Sequence, residues 1–275
     1  MVIHRLSDLS DPRLDPYARL TDHQLRNRLE PERAIMIAES ALVVDVALDE
    51  GAQPLSLLVE EERLGAAEGV VERVGEKAPV YVLPKGEMSR LVGYNVTRGI
   101  LAAMRRPPAR TVGEVLSGAR NVAVLEGLVD VTNVGAIFRN AAALGVDAVL
   151  LSPTCADPLS RRALRVSMGT ALKVPWAFCD EPWPARAMEE LHAAGLTCCA
   201  MALEDGAVPL DAYAREDGAR KTALFFGCEG YGLLPKTIRA CDRTVIIPMA
   251  RGVDSLNVAA SSAVAFWELF SRGEG

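Results

Sequence analysis

Three short stretches of the sequence place polar side chains and glycines directly after apolar segments, a pattern that suits ligand binding. Asn133 and Arg139 stand in Asn-Val-Gly-Ala-Ile-Phe-Arg, and Glu229 stands between glycines in Gly-Cys-Glu-Gly-Tyr-Gly. Ser255 and Asn257 stand in Ser-Leu-Asn-Val near the end of the chain. Glycines let a backbone approach a ligand closely, and polar side chains that packing does not require can contact it. The three stretches are therefore the candidate functional site.

Each stretch also has an ordinary structural explanation. Asn133 could form a turn, and Arg139 lies about 200° around a predicted helix from its apolar face, where a surface arginine belongs. Ser255 can cap a helix by accepting a backbone hydrogen bond. Capping leaves Asn257 unexplained, together with the small residues at 259–262, which predict close packing against another backbone, within the chain or across a dimer.

The glycines of the second stretch raise another possibility, a dinucleotide cofactor. The fingerprint for nicotinamide or flavin dinucleotides is Gly-x-Gly-x-x-Gly in the first strand-to-helix turn. Gly227, Gly230 and Gly232 have the reverse spacing, and they follow a late strand. The sequence therefore disfavours a nicotinamide oxidoreductase.

The elements that must position these stretches alternate regularly in the second half of the chain. Apolar runs predict strands at 121–126, 148–152, 174–178, 196–203, 222–227 and 243–249. Helical spacing predicts helices at about 135–144, 158–168, 183–194, 234–241 and 256–271. This alternation predicts an α/β fold, with a mostly parallel sheet covered by helices on both faces. Ligands of such sheets bind beyond the carboxyl ends of the strands, where the three stretches lie.

The first half of the chain predicts a smaller α/β domain. Helical patterns begin at Thr21 and cover 33–51 and 88–106, the last of them broken near Gly93. Short strands are expected at 55–61 and 79–84. The segment Arg-Arg-Pro-Pro-Ala-Arg, ending at residue 110, is the candidate linker. We therefore predict an N-terminal domain at residues 1–110 and a second domain at 111–275.

Composition argues against several classes of protein. Half of the 275 residues are apolar, but no apolar run is long enough to cross a membrane. The first residues lack the apolar core of a signal peptide, so the cytoplasm is the expected location. The six cysteines contain no Cys-x-x-Cys pair and the three histidines are scattered, so no metal site is expected.

Charge is unevenly distributed along this acidic chain, whose formal net charge is −6. Residues 43–76 carry nine acidic side chains against two arginines, whereas residues 98–120 carry five arginines against one glutamate. A local basic surface on an acidic protein is compatible with RNA binding. Solvated helix faces would give the same pattern, so charge alone leaves both explanations open.

Taken together and in this order, the stretches resemble the SpoU (TrmH-like) branch of the SPOUT RNA methyltransferases. The resemblance covers about residues 120–271, and all three motifs of the family are intact. Ala259, where many relatives carry serine, is a departure that touches no assigned role. The matching residues are Asn133, Gly135, Arg139, Gly227, Glu229, Gly232, Ile247, Pro248, Met249, Ser255, Leu256, Asn257 and Val258.

The resemblance implies a deep trefoil knot in the second domain and S-adenosylmethionine as the methyl donor. This cofactor carries no phosphate, and the family recognises its adenine largely through backbone groups. By their positions in the motifs, the cofactor-binding residues would be Gly227, Ile247, Met249 and Leu256, and Leu203 is added because it stands at the end of its predicted strand.

The resemblance further implies methyl transfer to a ribose 2′-hydroxyl of RNA, with Arg139 nearest the reaction. In the family this arginine is often proposed to act as the base. Because a guanidinium almost never loses its proton in a protein, a bidentate clamp on a phosphate of the target is the physically easier role. Asn133, Glu229, Ser255 and Asn257 would then orient the ribose and Arg139.

An RNA substrate and a homodimer are also implied. Residues 31–107 are more loosely similar to the L30e-like substrate-binding domain of many relatives. RNA is expected to contact this domain and the arginines that follow it, namely Arg98, Arg105, Arg106 and Arg110. The leading prediction is a 2′-O-ribose methyltransferase acting on ribosomal (23S) RNA. A tRNA 2′-O-ribose methyltransferase and a catalytically silent RNA-binding member of the fold are the alternatives.

Overall fold

The computed structural model describes residues 3–18, 33–216, 221–250, 252 and 254–271. The chain forms two compact units, the first made of Met1–Pro108 with Leu159–Leu172 and the second of Ala109–Pro158 with Lys173–Gly275. Residues 159–172, which the sequence pattern assigns to the second domain, thus group with the first unit. The helix predicted from Thr21 lies outside the described residues.

The secondary structure of the described residues alternates strands and short helices. The strands are β1 (Ile3–Arg5), β2 (Ile35–Glu39), β3 (Pro54–Glu60), β4 (Val80–Leu83), β5 (Ile100–Arg105), β6 (Asn121–Leu125), β7 (Ala148–Leu151), β8 (Trp176–Phe178), β9 (Thr197–Met201), β10 (Val208–Pro209), β11 (Thr222–Phe226) and β12 (Arg243–Ile246). The helices are α1 (Asp15–Ala18), α2 (Ala41–Asp49), α3 (Glu68–Gly75), α4 (Glu87–Val92), α5 (Val112–Leu116), α6 (Val131–Ala143), α7 (Arg161–Val166), α8 (Ala185–Ala193), α9 (Leu210–Glu216), α10 (Pro235–Ala240) and α11 (Val258–Phe266).

The first unit is built on a five-stranded mixed sheet in the order β1-β4-β3-β5-β2. Strands β1, β4 and β3 are parallel, and β5 runs antiparallel to both β3 and β2. The strands predicted at 55–61 and 79–84 are confirmed as β3 and β4. Helix α7, from the segment inserted between two strands of the second unit, packs against β2.

Two predicted helices of the first unit are wrong in part, because buried strands occupy their positions. Residues 35–39 form β2, and α2 begins only after its capping residue Ser40. The predicted break near Gly93 is confirmed, since Gly93 caps the end of α4, but most of the pattern beyond it is β5 instead of helix, with five of six residues buried. Leu, Ala and Met favour helices in isolation, but packing between two neighbouring strands overrides that preference.

The second unit is built on a seven-stranded sheet in the order β10-β12-β9-β11-β6-β7-β8, and all of its pairings are parallel. The predicted α/β fold is confirmed, and each of the six strands predicted for this half of the chain is present. The short elements α5, α9 and β10 were not predicted. The trefoil knot implied by the resemblance stays a prediction.

The last helix differs from its prediction in where it begins and in what caps it. α11 starts at Val258, and Asn257 rather than Ser255 is its cap, since the Asn257 side chain accepts hydrogen bonds from the backbone N–H groups of Ala259 and Ala260. A π-helical turn at 267–271 continues it. Both Ser and Asn are good caps, so the sequence alone does not select between them.

The small residues of α11 pack against α6. Asn140 of α6 donates hydrogen bonds to the Ala259 carbonyl at 2.8 Å and to Ser262 Oγ at 3.0 Å. Ala259 and Ser262 are buried, whereas Ala260 is exposed. The close packing that the sequence predicts therefore occurs within the chain at two of these positions.

None of the helices in the described part of the chain combines the length and the apolar character needed to cross a membrane.

Candidate active site and cofactor crevice

The strand order places the predicted cofactor-binding segments close together at the carboxyl ends of the parallel strands. Strands β12, β9 and β11 are neighbours, and β6 follows beside β11. Gly227 and Ile247 come directly after the carboxyl ends of β11 and β12, and Leu203 comes two residues after the end of β9. β7 and β8 lie on one side of β6, whereas the later strands β9, β11 and β12 lie on its other side. The strand order therefore reverses between β6 and β11, which makes this point a topological switch. Ligands of open α/β sheets bind in the crevice at such a switch.

The loop after β11 folds back on itself, which explains its first glycine. Gly232 N donates to the Cys228 carbonyl at 2.9 Å. A Cβ atom on Gly227 would lie 2.1 Å from the Gly232 carbonyl carbon and 2.2 Å from Leu233 N. Gly232 itself has a left-handed φ of +69°. The glycines therefore allow the loop to close, and Glu229 is left exposed at its tip.

Three of the five predicted catalytic residues meet in one hydrogen-bond network. Asn257 Nδ2 donates to Asn133 Oδ1 at 3.1 Å and to Glu229 Oε1 at 2.5 Å. Asn257 Oδ1 accepts the two backbone N–H groups that cap α11. Both donor hydrogens and both lone pairs of the Asn257 amide are therefore engaged.

The N-termini of α6 and α11 position Asn133 and Asn257 in this network. Asp130 caps α6 by accepting from Thr132 N at 2.8 Å, so α6 begins at Val131, four residues before the predicted start. Asn133 consequently lies in the first turn of α6 and is buried, rather than in a preceding loop. The Glu229 carboxylate lies beside Asn257 at the start of α11, where the partial positive charge of a helix N-terminus favours an anion.

The other two predicted catalytic residues lie apart from this network. Arg139 is exposed on α6, and Ser255 is exposed two residues before Asn257. Within the described ranges, neither side chain has a hydrogen-bond or ion-pair partner. The guanidinium of Arg139 is therefore available to a ligand.

The apolar side chains at the carboxyl edge of this sheet suit the adenine of a phosphate-free cofactor. Leu203 and Leu256 leave 66% and 41% of their surface exposed, although both are large and apolar. Ile247 and Met249 are half-buried beside β12. Uncovered apolar side chains next to strand-end backbone groups match the adenine recognition expected from the resemblance, so these residues fit S-adenosylmethionine.

One buried residue of this edge was missed by the sequence analysis. Glu126 follows β6 and is 3% exposed, and its carboxylate accepts hydrogen bonds from Leu234 N, Trp183 Nε1 and Thr237 Oγ1. The only signal in the sequence is a glutamate at the end of an apolar strand, because its partners lie 57 to 111 residues away.

The predicted RNA-binding arginines do not form one continuous helical face. Arg98 and Arg105 flank β5 at its two ends, so they are about 20 Å apart at the rise of a strand. Arg105 Nε donates to Gln53 Oε1 at 3.2 Å. Arg110 is exposed just before α5, and Arg106 is half-buried. An RNA that contacts both Arg98 and Arg105 must extend along the strand.

One group of side chains in the described ranges could hold a metal ion, namely His192, Cys198 and Asp242, with ligand atoms within 4.8 Å of one another. It lies at the amino ends of β9 and β12, away from the crevice. Asp242 Oδ2 accepts from Cys198 N at 2.7 Å and lies 3.1 Å from His192 Nε2. Burial raises the pKa of the Cys198 thiol to about 12, which opposes the thiolate form that binds metals. We assign this group no part in the chemistry of the site.

Comparisons of sequence identify similar proteins over nearly the whole chain. The model of the SpoU rRNA Methylase family matches residues 120–267. An uncharacterized tRNA/rRNA methyltransferase of Mycobacterium bovis is 43% identical over 98% of this chain and 93% of its own length. A 23S rRNA (guanosine-2′-O-)-methyltransferase of Acinetobacter baylyi is 30% identical over 67% of this chain and 75% of its own length.

Solved structures share the fold. An AdoMet-bound rRNA methyltransferase from Sinorhizobium meliloti superposes with a TM-score of 0.78 at 22% identity, covering 97% of each chain. The SpoU methyltransferase AviRb from Streptomyces viridochromogenes, in complex with AdoMet, gives a TM-score of 0.77 at 20% identity over 94% of this chain and 97% of its own. Both likenesses extend over the two units.

Proposed function

The chain belongs to the SpoU rRNA methylase family, and we propose that it transfers a methyl group from S-adenosylmethionine to a ribose 2′-hydroxyl of ribosomal RNA. The observation that carries this proposal is the network of Asn133, Glu229 and Asn257 at the carboxyl edge of the parallel sheet. Three segments distant in sequence supply one amide, one carboxylate and a second amide beside an apolar crevice.

The cofactor would be held by the backbone and apolar side chains of the strand-end loops, Leu203, Gly227, Ile247, Met249 and Leu256. When bound, S-adenosylmethionine would supply a methyl group on a sulfonium, which leaves readily as a neutral thioether, and the proton of the ribose hydroxyl would pass to solvent. The contribution of the protein is then to place a ribose hydroxyl correctly, since positioning can supply much of the rate.

Asn257 holds the other two polar residues of the network in place. Its amide is fully engaged, so it has no group left to offer the substrate without breaking a bond. Glu229 uses Oε1 for Asn257, which leaves its other oxygen to accept a hydrogen bond from a ribose hydroxyl. The Asn133 amide nitrogen, which makes no hydrogen bond to the described residues, can donate to a ribose oxygen.

Arg139 would clamp a phosphate of the target nucleotide. Its guanidinium is exposed and unpaired within the described ranges, and its planar fork matches two phosphate oxygens. It would remain protonated throughout, because a guanidinium is a very poor base. Ser255, which is exposed two residues before Asn257, would contribute a hydroxyl to the same substrate site.

RNA binding and assembly complete the proposal. The first unit would bind RNA as an L30e-like substrate domain, with Arg98, Arg105 and Arg106 contacting phosphates. Arg110, at the start of the second unit, would contact a phosphate as well. The cofactor segments would form a trefoil knot and the functional protein a homodimer, as the family resemblance implies. The similar proteins are named as tRNA/rRNA and 23S rRNA methyltransferases, so transfer RNA is the second candidate substrate.

The test offers tritiated S-adenosylmethionine with unmodified 23S rRNA, 16S rRNA and bulk tRNA in separate reactions. We expect label on 23S rRNA alone. Label confined to tRNA would favour the second candidate. Absence of label on all three, with the cofactor bound, would favour a catalytically silent RNA-binding protein.

A further inference from the structure

Glu126 connects three segments at the carboxyl edge of the parallel sheet. Its carboxylate accepts from Leu234 N at 2.6 Å, from Trp183 Nε1 at 2.5 Å and from Thr237 Oγ1 at 2.5 Å. The residue is 3% exposed. Both carboxylate oxygens are hydrogen-bonded, which makes its burial tolerable.

The same residue fixes both ends of the glycine loop at residues 227–233. Glu126 N donates to the Phe226 carbonyl at 2.9 Å, directly before the loop begins. Its carboxylate accepts from Leu234 N, directly after the loop ends. The two ends of the loop are therefore joined to one residue, Glu126, which directly follows the neighbouring strand β6: one end to its backbone N–H and the other to its side chain.

A second contact supports the same arrangement. Lys236 Nζ donates to the Trp183 carbonyl at 2.6 Å, so the segment holding Trp183 is joined to α10 independently of Glu126. Removal of the Trp183–Glu126 bond alone would therefore leave that segment attached. The bond to Leu234 N is the one that reaches the loop itself.

Stability alone does not explain a charge at this position. A buried carboxylate and its partners are often no more stabilising than apolar residues of similar volume. Hydrogen bonds instead fix the direction of the groups they join, which an apolar contact does not.

We propose that Glu126 is a positioning residue that holds the loop at 227–233 in its cofactor-binding shape before the cofactor arrives. This inference rests on the proposed function, because it treats Gly227 as part of the cofactor site. Glu126 itself touches neither cofactor nor RNA in this proposal. It lowers the entropic cost of binding by ordering the loop in advance.

The main test compares two variants that remove different hydrogen bonds of Glu126. In Glu126→Leu, an apolar side chain of similar size leaves Leu234 N without its acceptor. In Trp183→Phe, the indole donor is removed while the bond to Leu234 N remains. Dissociation constants for S-adenosylmethionine are measured by calorimetry, at a temperature well below the unfolding midpoint of each variant.

We expect Glu126→Leu to raise the dissociation constant about tenfold, with Trp183→Phe within about twofold of the wild type. Wild-type affinity in Glu126→Leu would overturn the proposal and leave Glu126 a purely structural residue. Equal weakening in both variants would overturn it as well, since the bond to the loop would then have no special role.

A second measurement uses the unaltered protein and does not depend on whether the variants fold. Hydrogen exchange of the Leu234 amide is compared with that of Gly230, at the open tip of the loop, with and without S-adenosylmethionine. We expect Leu234 to exchange about 100-fold more slowly than Gly230 before any cofactor is added. Equal exchange until cofactor is added would overturn the proposal. Failure of the wild type to bind S-adenosylmethionine would instead contradict the proposed function, and the exchange result would still decide whether Glu126 orders the loop.

Discussion

Asn257 and Glu229, 28 residues apart in the chain, share a hydrogen bond that joins the start of the last helix to the tip of the glycine loop. Asn257 also donates to Asn133, 124 residues earlier, so one amide connects three segments of the second unit. The same residue caps α11 through its side-chain oxygen. The oxygen of the Asn257 amide thus caps the helix, and its nitrogen holds the two other polar residues of the site.

These two roles can be separated by substitution at Asn257. Ser retains an oxygen that can cap α11 but provides neither amide donor, whereas Ala removes both functions. We expect Asn257→Ala to lower the free energy of unfolding by about 1 kcal/mol and Asn257→Ser to lower it by less. Both should reduce methyl transfer about 100-fold, because Glu229 and Asn133 lose their common anchor. Denaturant unfolding and single-turnover assays measure the two effects, and full activity in Asn257→Ser would refute the organising role.

Arg139 should matter for the reaction and not for the fold. Since it is exposed and has no partner within the described ranges, Arg139→Ala should leave the unfolding temperature and the affinity for S-adenosylmethionine unchanged. Methyl transfer should fall about 100- to 1000-fold, and Lys should restore it only in part, because an ammonium lacks the bidentate fork.

The matched control for this experiment is Arg243→Ala, an exposed arginine at the amino end of β12. It should retain wild-type activity. Near-normal methyl transfer by Arg139→Ala with cofactor bound would show that the phosphate clamp is wrongly assigned.

The glycine loop offers a pair of single-methyl tests. A Cβ on Gly227 would lie about 2 Å from backbone atoms of Gly232 and Leu233, whereas a Cβ on Gly230 meets no atom within 4 Å. We expect Gly227→Ala to cost about 1–3 kcal/mol of stability and to weaken cofactor binding at least tenfold. Gly230→Ala should change neither markedly. Calorimetric unfolding and cofactor titration measure both quantities, and similar behaviour of the two variants would contradict the loop geometry.

The arginine-rich segment at residues 98–120 should contribute phosphate contacts to RNA binding. Replacing Arg105, Arg106 and Arg110 with Ala should weaken binding at low salt and reduce the slope of log K against log salt by about 0.7–0.9 for each phosphate that is no longer neutralised. Arg73→Ala is the control in the first unit, since that guanidinium is already paired with Asp45 and Asp49 at 2.6 and 2.7 Å. Filter binding at several salt concentrations would detect the change. An unaltered slope in the triple variant would remove this segment from the interface.

Cysteine alkylation should report on the cofactor site. Burial raises the pKa of the Cys179 and Cys198 thiols to about 12 and shifts that of Cys241 in the same direction. Cys228 is partly exposed and follows Gly227 in the loop. With iodoacetamide at about pH 8, we expect Cys228 to react first and S-adenosylmethionine to slow that reaction. Peptide mass spectrometry would identify the site, and unchanged alkylation at saturating cofactor would place Cys228 away from it.

The strands of the second unit could be predicted because apolar runs bounded by turn residues mark them directly. The first unit was harder, since the Leu, Ala and Met residues of β5 also suit a helix, and only burial between two strands decides the outcome. The cap of α11 was assigned to Ser255 instead of Asn257 because two good capping residues stand two positions apart.

The residues of the candidate site could likewise be predicted from the sequence only in part. Asn133, Glu229 and Asn257 could be selected by their family motifs, but their mutual contacts required the packing of α6 against α11. Glu126 could not be selected, because its role depends on Trp183, Leu234 and Thr237, which no local pattern connects to it.

The chemical position of the transferred methyl group tests the proposed activity most directly. RNA labelled from S-adenosylmethionine is digested to nucleosides for mass spectrometry, and a second portion is cleaved with alkali. We predict a single 2′-O-methylated nucleoside and an alkali-resistant linkage at one site, with both absent in Arg139→Ala. A methyl group on a base, with ordinary alkaline cleavage at that position, would contradict ribose methylation and the roles proposed for Asn133, Glu229 and Arg139.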